Sequence, residues 1–103
     1  MSKFPTPTYS HLNTSDFNKL YEPAEDTFLL LDALEADAKW MRRRDPTLCL
    51  EVGPGSGVVI TFLATILGPT AFYLASDINE YAARSAVQCG CENKVCITFY
   101  FIS

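Results

Sequence analysis

The stretch Leu48-Cys49-Leu50-Glu51-Val52-Gly53-Pro54-Gly55-Ser56-Gly57 constrains the fold of this chain more than any other. A short apolar run carries an acid near its end and then breaks into glycines at alternate positions. Such a run followed by a glycine-rich turn and a second apolar segment reads as a strand feeding a helix. Another apolar run closes on Asp77, in Ala75-Ser76-Asp77-Ile78-Asn79. A strand, a glycine turn, a helix, a strand and an acid in that order build a nucleoside pocket at the carboxyl ends of parallel strands.

The remaining composition bounds that reading. A chain of 103 residues holds one domain rather than two. With 49% hydrophobic and 13% aromatic residues it can bury a core, which excludes wholesale disorder. A net charge of −4 argues against gripping nucleic acid through a basic surface. The basic cluster Arg42-Arg43-Arg44 suits a solvated helix end, with cations near the negative end of the dipole, better than a phosphate patch. Cys49 sits inside an apolar run, where a thiol acts as a small hydrophobe. Cys89 and Cys91 are spaced C-x-C, unlike a zinc knuckle or a redox pair, Cys96 stands apart, and His11 is the lone histidine. No metal site is expected. Free thiols and no leader-like start fit the cytosol or nucleus. From Val52 through Ser76 no residue is charged, as in a membrane span, but Gly68-Pro69 cuts the stretch into two short buried elements.

Along the chain, residues 1–20 are polar, carry Pro5 and Pro7, and read as a flexible arm. A helix is predicted to start at Pro23, with Glu25 and Asp26 at its positive end, and to run to Arg42–Arg44 before Asp45-Pro46. Phe28, Leu31, Leu34 and Ala38 form its apolar stripe, widened by Leu30. Thr47–Val52 is the first strand, apolar enough to predict burial on both faces. A helix over about 57–67, stopped by Gly68-Pro69, is apolar all round and so well covered. Ala71–Ser76 is the second strand. Asn79 caps a helix to about Gly90 that turns Tyr81, Ala82, Ala86 and Val87 toward the sheet, and Val95–Phe101 is the third strand. Right-handed crossovers give strand order 3-2-1: an α/β fold, half of a doubly wound sheet, with a helix in front of it.

The acids give the pocket its chemistry. Gly53, Gly55 and Gly57 make G-x-G-x-G. The first allows a sharp turn, and the others let a ligand approach the backbone and a helix pack closely. The dinucleotide fingerprint has its last glycine one place later, where this chain has Val58, so an NAD pyrophosphate fits poorly. Alone, the turn could be only a tight strand-to-helix link. Glu51 would repel a pyrophosphate and suits an amine or a cation, although a solvated acid at a strand end would look the same. Asp77 can accept two hydrogen bonds from a ribose diol, or can help Asn79 cap the next helix. Together they suit S-adenosylmethionine, whose amino group and sulfonium are positive and whose ribose carries a free diol.

At this point the chain resembles a known family. Leu50-Glu51-Val52-Gly53-x-Gly55-x-Gly57 followed by Ser76-Asp77-Ile78-Asn79 is similar to class I S-adenosylmethionine-dependent methyltransferases, with their Rossmann-like fold. The string Tyr21-Glu22-Pro23-Ala24-Glu25-Asp26-Thr27-Phe28-Leu29-Leu30-Leu31-Asp32-Ala33-Leu34 resembles, more specifically, the eukaryotic and archaeal branch of the HemK-type protein-glutamine N5-methyltransferases. The likeness covers residues 17–97, so 21–97 is expected as a cofactor-binding half-domain and 98–103 as a divergent tail. The resemblance implies methyl transfer to the glutamine amide of the GGQ motif of the translation release factor, with lysine of histone H4 as a further target. It also implies a small zinc-binding activator subunit pairing along the sheet edge. By matching motifs, Thr27 would approach the methionine part of the cofactor, Glu51 and Gly53 would hold its amino-acid end, and Asp77 its ribose, with Gly55 of the turn also among the cofactor-binding residues.

One departure bears on catalysis. The family's Asn-Pro-Pro-Tyr, which grips the target amide, does not occur in this sequence, nor does the family's acid after the third strand. The chain closes instead on Thr98-Phe99-Tyr100-Phe101-Ile102-Ser103. A truncated or alternatively spliced product, inactive alone, would account for this, as would a non-catalytic form that binds the activator. On either account the first strand becomes an exposed apolar edge.

Overall fold

The sequence of α3, Val58–Leu67, carries no charge, and six of its residues are buried, so this helix forms the spine of the fold. The computed structural model describes residues 4–13, 20 and 22–101; Tyr21 and the remaining parts of the expected arm and tail lie outside the described residues. Before α3 come α1 (Glu25–Ala36), α2 (Ala38–Arg44) and β1 (Leu48–Val52); after it come β2 (Phe72–Asp77), α4 (Glu80–Glu92) and β3 (Ile97–Phe101). The strands are parallel with β2 central, the predicted order. Glu51 aligns with Ala75, and Asp77 aligns with Phe101.

Both β–α–β crossovers lie on one face of the sheet, as right-handed winding in a single direction requires. There Cys49, Tyr73, Ala75 and Ile97 pack against Ile60 and Ala64 of α3 and Ala86 of α4. A second cluster, outside this layer, joins Leu31 of α1 and Ala38 of α2 to Val58, Phe62, Ile66 and Cys89. The opposite face of β1 is bare among the described residues: Leu48, Leu50 and Val52 are 59%, 56% and 73% exposed. Burial of β1 on both faces, predicted from its composition, is therefore not observed. Covering the second face takes helices wound in the other direction, and none occurs among the described elements.

The single long helix predicted from Pro23 to Arg44 is two. Asp37 (φ −93°, ψ 2°) ends α1 and starts α2, and the helical run begins only at Glu25. The bend lets α2 follow the flank of α3 and brings Arg42 to that helix's carboxyl end, where Nε donates to the Ile66 carbonyl at 2.8 Å. Arg42 also lies over the Phe4 ring at 4.9 Å, and Arg44 over Trp40 at 4.9 Å. Two of the three arginines thus serve packing and capping.

Within the segment expected as an arm, Phe4 is buried and meets Phe62 edge to face at 6.4 Å. The Asn93 side chain holds Thr8 by both backbone groups, each at 2.9 Å. In α4, Asn79 Oδ1 accepts from the Tyr81 amide at 2.9 Å, the predicted cap. Ala82 and Ala86 are buried, whereas Tyr81 and Val87 are half-buried. All four cysteines are free thiols. No helix among the described residues is long and apolar enough to cross a membrane, and no group of three potential metal ligands gathers there.

Candidate functional site

The strand pairing runs to the edge of the glycine turn, where the Gly53 amide donates to the Ser76 carbonyl at 2.8 Å. The backbone then winds through positive φ at Gly53 (72°), Gly55 (56°) and Gly57 (92°). Gly57 is required twice over. Its φ disfavours a side chain, and a Cβ would stand 2.4 Å from the Ala86 Cα. This is the close helix packing expected of the last glycine. At Gly53 and Gly55 a Cβ would meet nothing within 4 Å, so this backbone borders open space. The turn is pinned from beneath, because the Ser85 hydroxyl donates to the Ser56 carbonyl at 3.0 Å.

That open space is a cleft of about 260 Å³. Asp26, Thr27 and Leu30 of α1 form one wall; Glu51, the turn from Gly53 to Ser56, and Val59 of α3 complete it. A larger cavity of about 520 Å³ lies near Gly68, Tyr73 and Val95 at the other end of the strands. Open parallel sheets bind ligands at the carboxyl ends of their strands, which selects the smaller cleft.

The cleft is acidic, with no basic side chain among its described lining residues. Glu51 Oε1 is buried with no hydrogen-bond partner. Burial pushes the Glu51 carboxyl up to about 7, against a smaller opposing pull from the Ile60 backbone. Thr27 stands on the facing wall, its Oγ1 accepting from the Ala24 amide at 3.3 Å and so fixed at the first turn of α1.

Of the predicted site residues, Thr27, Glu51, Gly53 and Gly55 come together in this cleft. Asp77 does not line it. Strand alternation and the register place Asp77 on the same face and at the same end of the sheet as Glu51, one strand over. One of its oxygens accepts from the Asn79 amide at 2.8 Å, the helix-start role that the sequence left open. Asp26, Leu30, Pro54, Ser56 and Val59 were not anticipated as site residues. The signal for Asp26 was its place beside Thr27, but the dipole alone accounts for an acid in a first turn.

No protein-family model matches the chain. Curated relatives do. It is 52% identical over 91 residues to mouse Methyltransferase HEMK2 and 51% identical over 92 residues to human Methyltransferase HEMK2. It is 42% identical over 86 residues to the eRF1 methyltransferase catalytic subunit mtq2 of Schizosaccharomyces pombe. Over these residues the chain is similar to proteins named as HEMK2 and eRF1 methyltransferases. The matches cover 88%, 89% and 79% of this chain, but the chain spans only 42%, 42% and 37% of those relatives. The three-stranded parallel sheet is compatible with part of the Rossmann-like methyltransferase fold expected of a HemK-type chain.

Chemically, the cleft favours a cation. One buried Glu51 oxygen without a donor, an unobstructed glycine backbone and no lysine or arginine among the described lining residues fit the ammonium end of S-adenosylmethionine. They do not fit a pyrophosphate.

Proposed function

We propose that this chain is the S-adenosylmethionine-binding part of a HemK-type protein methyltransferase. The observation that carries the reading is Glu51 Oε1, enclosed beside the glycine turn with no partner of its own. The Glu51 carboxylate takes the α-ammonium group of the cofactor. Gly53 and Gly55 let its amino-acid end lie against the backbone, and the Thr27 hydroxyl borders its methionine portion. The nucleoside extends past the cleft over the end of β2, where Asp77 accepts from the ribose diol. When bound, the cofactor supplies an electrophilic methyl group; the residues of this chain hold and orient it.

By the HemK-type resemblance, the methyl acceptor is the GGQ glutamine amide of the release factor, with histone H4 lysine as a second target. The name of the fission-yeast relative, an eRF1 methyltransferase catalytic subunit, supports the release factor as substrate. The sequence has no Asn-Pro-Pro-Tyr to orient an amide. Orientation can supply up to about 7–11 kcal/mol of a barrier, so without that motif the chain alone holds cofactor without measurable transfer. Isothermal titration with S-adenosylhomocysteine tests the site: binding that Asp77→Ala abolishes supports it, and equal heat from the variant rejects it.

A second reading is favoured by the position of β3 at the sheet edge opposite β1. A small zinc-binding activator subunit adds along that edge, in the cytosol or nucleus, and this chain competes for it with a full-length enzyme. Co-purification decides, since a chain that never retains the activator has no such role.

A further inference from the structure

The Glu51 environment has a consequence for how a ligand enters. Glu51 Oε1 is enclosed and receives no hydrogen bond. A carboxylate in that position would hold a charge away from water with no cationic side chain described beside it, a state that burial disfavours. Among the described residues the one compensation is the smaller pull from the Ile60 backbone, which burial outweighs. From α1 the ionisable group lining the cleft is Asp26, another acid. The glycine turn and α3 carry no charge at all. On β2, Asp77 shares the sheet face. At the start of α4, Glu80 and Arg84 pair with each other at 2.7 Å.

Resting on the cofactor reading above, we propose that the empty cleft keeps Glu51 as the neutral acid and that a ligand's ammonium group enters in exchange for its proton. The exchange balances. The Glu51 O–H bond breaks, its proton leaves to buffer, and the carboxylate so formed receives N–H bonds from the incoming cation. Net charge at Glu51 is zero before and after, so the carboxyl never holds an uncompensated charge. Loading is therefore coupled to pH in the neutral range, and the buried position of the carboxyl sets the midpoint, near 7.

Titration calorimetry of the 103-residue chain with S-adenosylhomocysteine tests this, run at pH 6 and pH 8 in buffers of different ionisation enthalpy. This ligand carries the ammonium group but a neutral sulfur, which isolates the exchange. Release of most of one proton is expected at pH 6 and little at pH 8, with affinity about tenfold higher at pH 8. Glu51→Gln should bind more weakly, with no proton release and no pH dependence. Equal affinity and no buffer effect in the wild type overturn the exchange while leaving cofactor binding intact. A pH dependence that survives Glu51→Gln overturns it too, because the proton then belongs to another group. Absence of binding overturns the cofactor reading, and the exchange with it. A carboxyl-carbon NMR titration of the ligand-free chain reads Glu51 directly: a midpoint near 7 supports the inference, and a midpoint in the ordinary glutamate range rejects it.

Discussion

Replacing Glu51 by glutamine removes an ionisable group whose burial has a calculable effect on stability. Its carboxyl rises from 4.5 to about 7 in the folded chain. The folded state therefore holds the proton more tightly than the unfolded state does. The contribution is fully present below pH 4.5, declines as pH rises, and is lost once pH passes about 7. The shift, at 1.36 kcal/mol per unit, sets an upper limit of about 3 kcal/mol on that loss. Glutamine keeps the shape of the side chain and cannot ionise, so the variant escapes the loss. Urea denaturation of both proteins at pH 5 and pH 8 isolates the effect, because other groups cancel in the difference. Relative to wild type, Glu51→Gln should gain up to about 2.5 kcal/mol on moving from pH 5 to pH 8, since part of the loss has already occurred at pH 5, worth roughly 10 °C or more in Tm for a domain of this size. If the two proteins show the same change between these pH values, Glu51 is not held neutral by burial and the reasoning from its environment is refuted.

Other substitutions probe the frame around the cleft. Gly57→Ala places a Cβ 2.4 Å from the Ala86 Cα at a φ of 92°, and should cost on the order of 3 kcal/mol or prevent folding, read by thermal melt. Gly53→Ala meets no atom, so it should cost only about 1 kcal/mol of backbone strain, and the contrast between the two glycines is the check. Phe4→Ala should lose about 3 kcal/mol in urea unfolding, because the ring is buried against Phe62 and beneath Arg42. Asn79→Ala removes the α4 cap and should cost about 1 kcal/mol. Val52→Thr on the bare face of β1 should change stability by less than about 0.5 kcal/mol while reducing self-association in light scattering.

The elements that the sequence disclosed most clearly are those whose signal is local. An uncharged run, a glycine stop and an asparagine cap placed α3, its end and the start of α4 to within a residue or two. Strand order followed from the handedness of crossovers. The burial of β1 was misjudged because composition reports what a strand could bury, whereas exposure depends on which layers are present. Leu50 is as apolar as a core residue and still faces outward. The break at Asp37 also lacks a local signal. It arises where α2 turns to reach the end of α3, a tertiary demand. In the site, Glu51, Gly53 and Gly55 were legible because neither packing nor helix capping calls for an acid and alternating glycines at a strand end. Asp26 was not, because its helix-start role already accounted for it. The enclosure of one Glu51 oxygen could only be read from three dimensions.

The central claim is that Thr27, Glu51, the glycine turn and Asp77 together hold one nucleoside ligand. Amide chemical-shift mapping of the labelled chain during titration with S-adenosylhomocysteine tests it most directly. The account predicts saturable shifts at Thr27, Glu51, Gly53, Gly55 and Asp77, with the far end of the strands around Tyr73 and Val95 unmoved. Shifts confined to that far end, or none at saturating ligand, would contradict it.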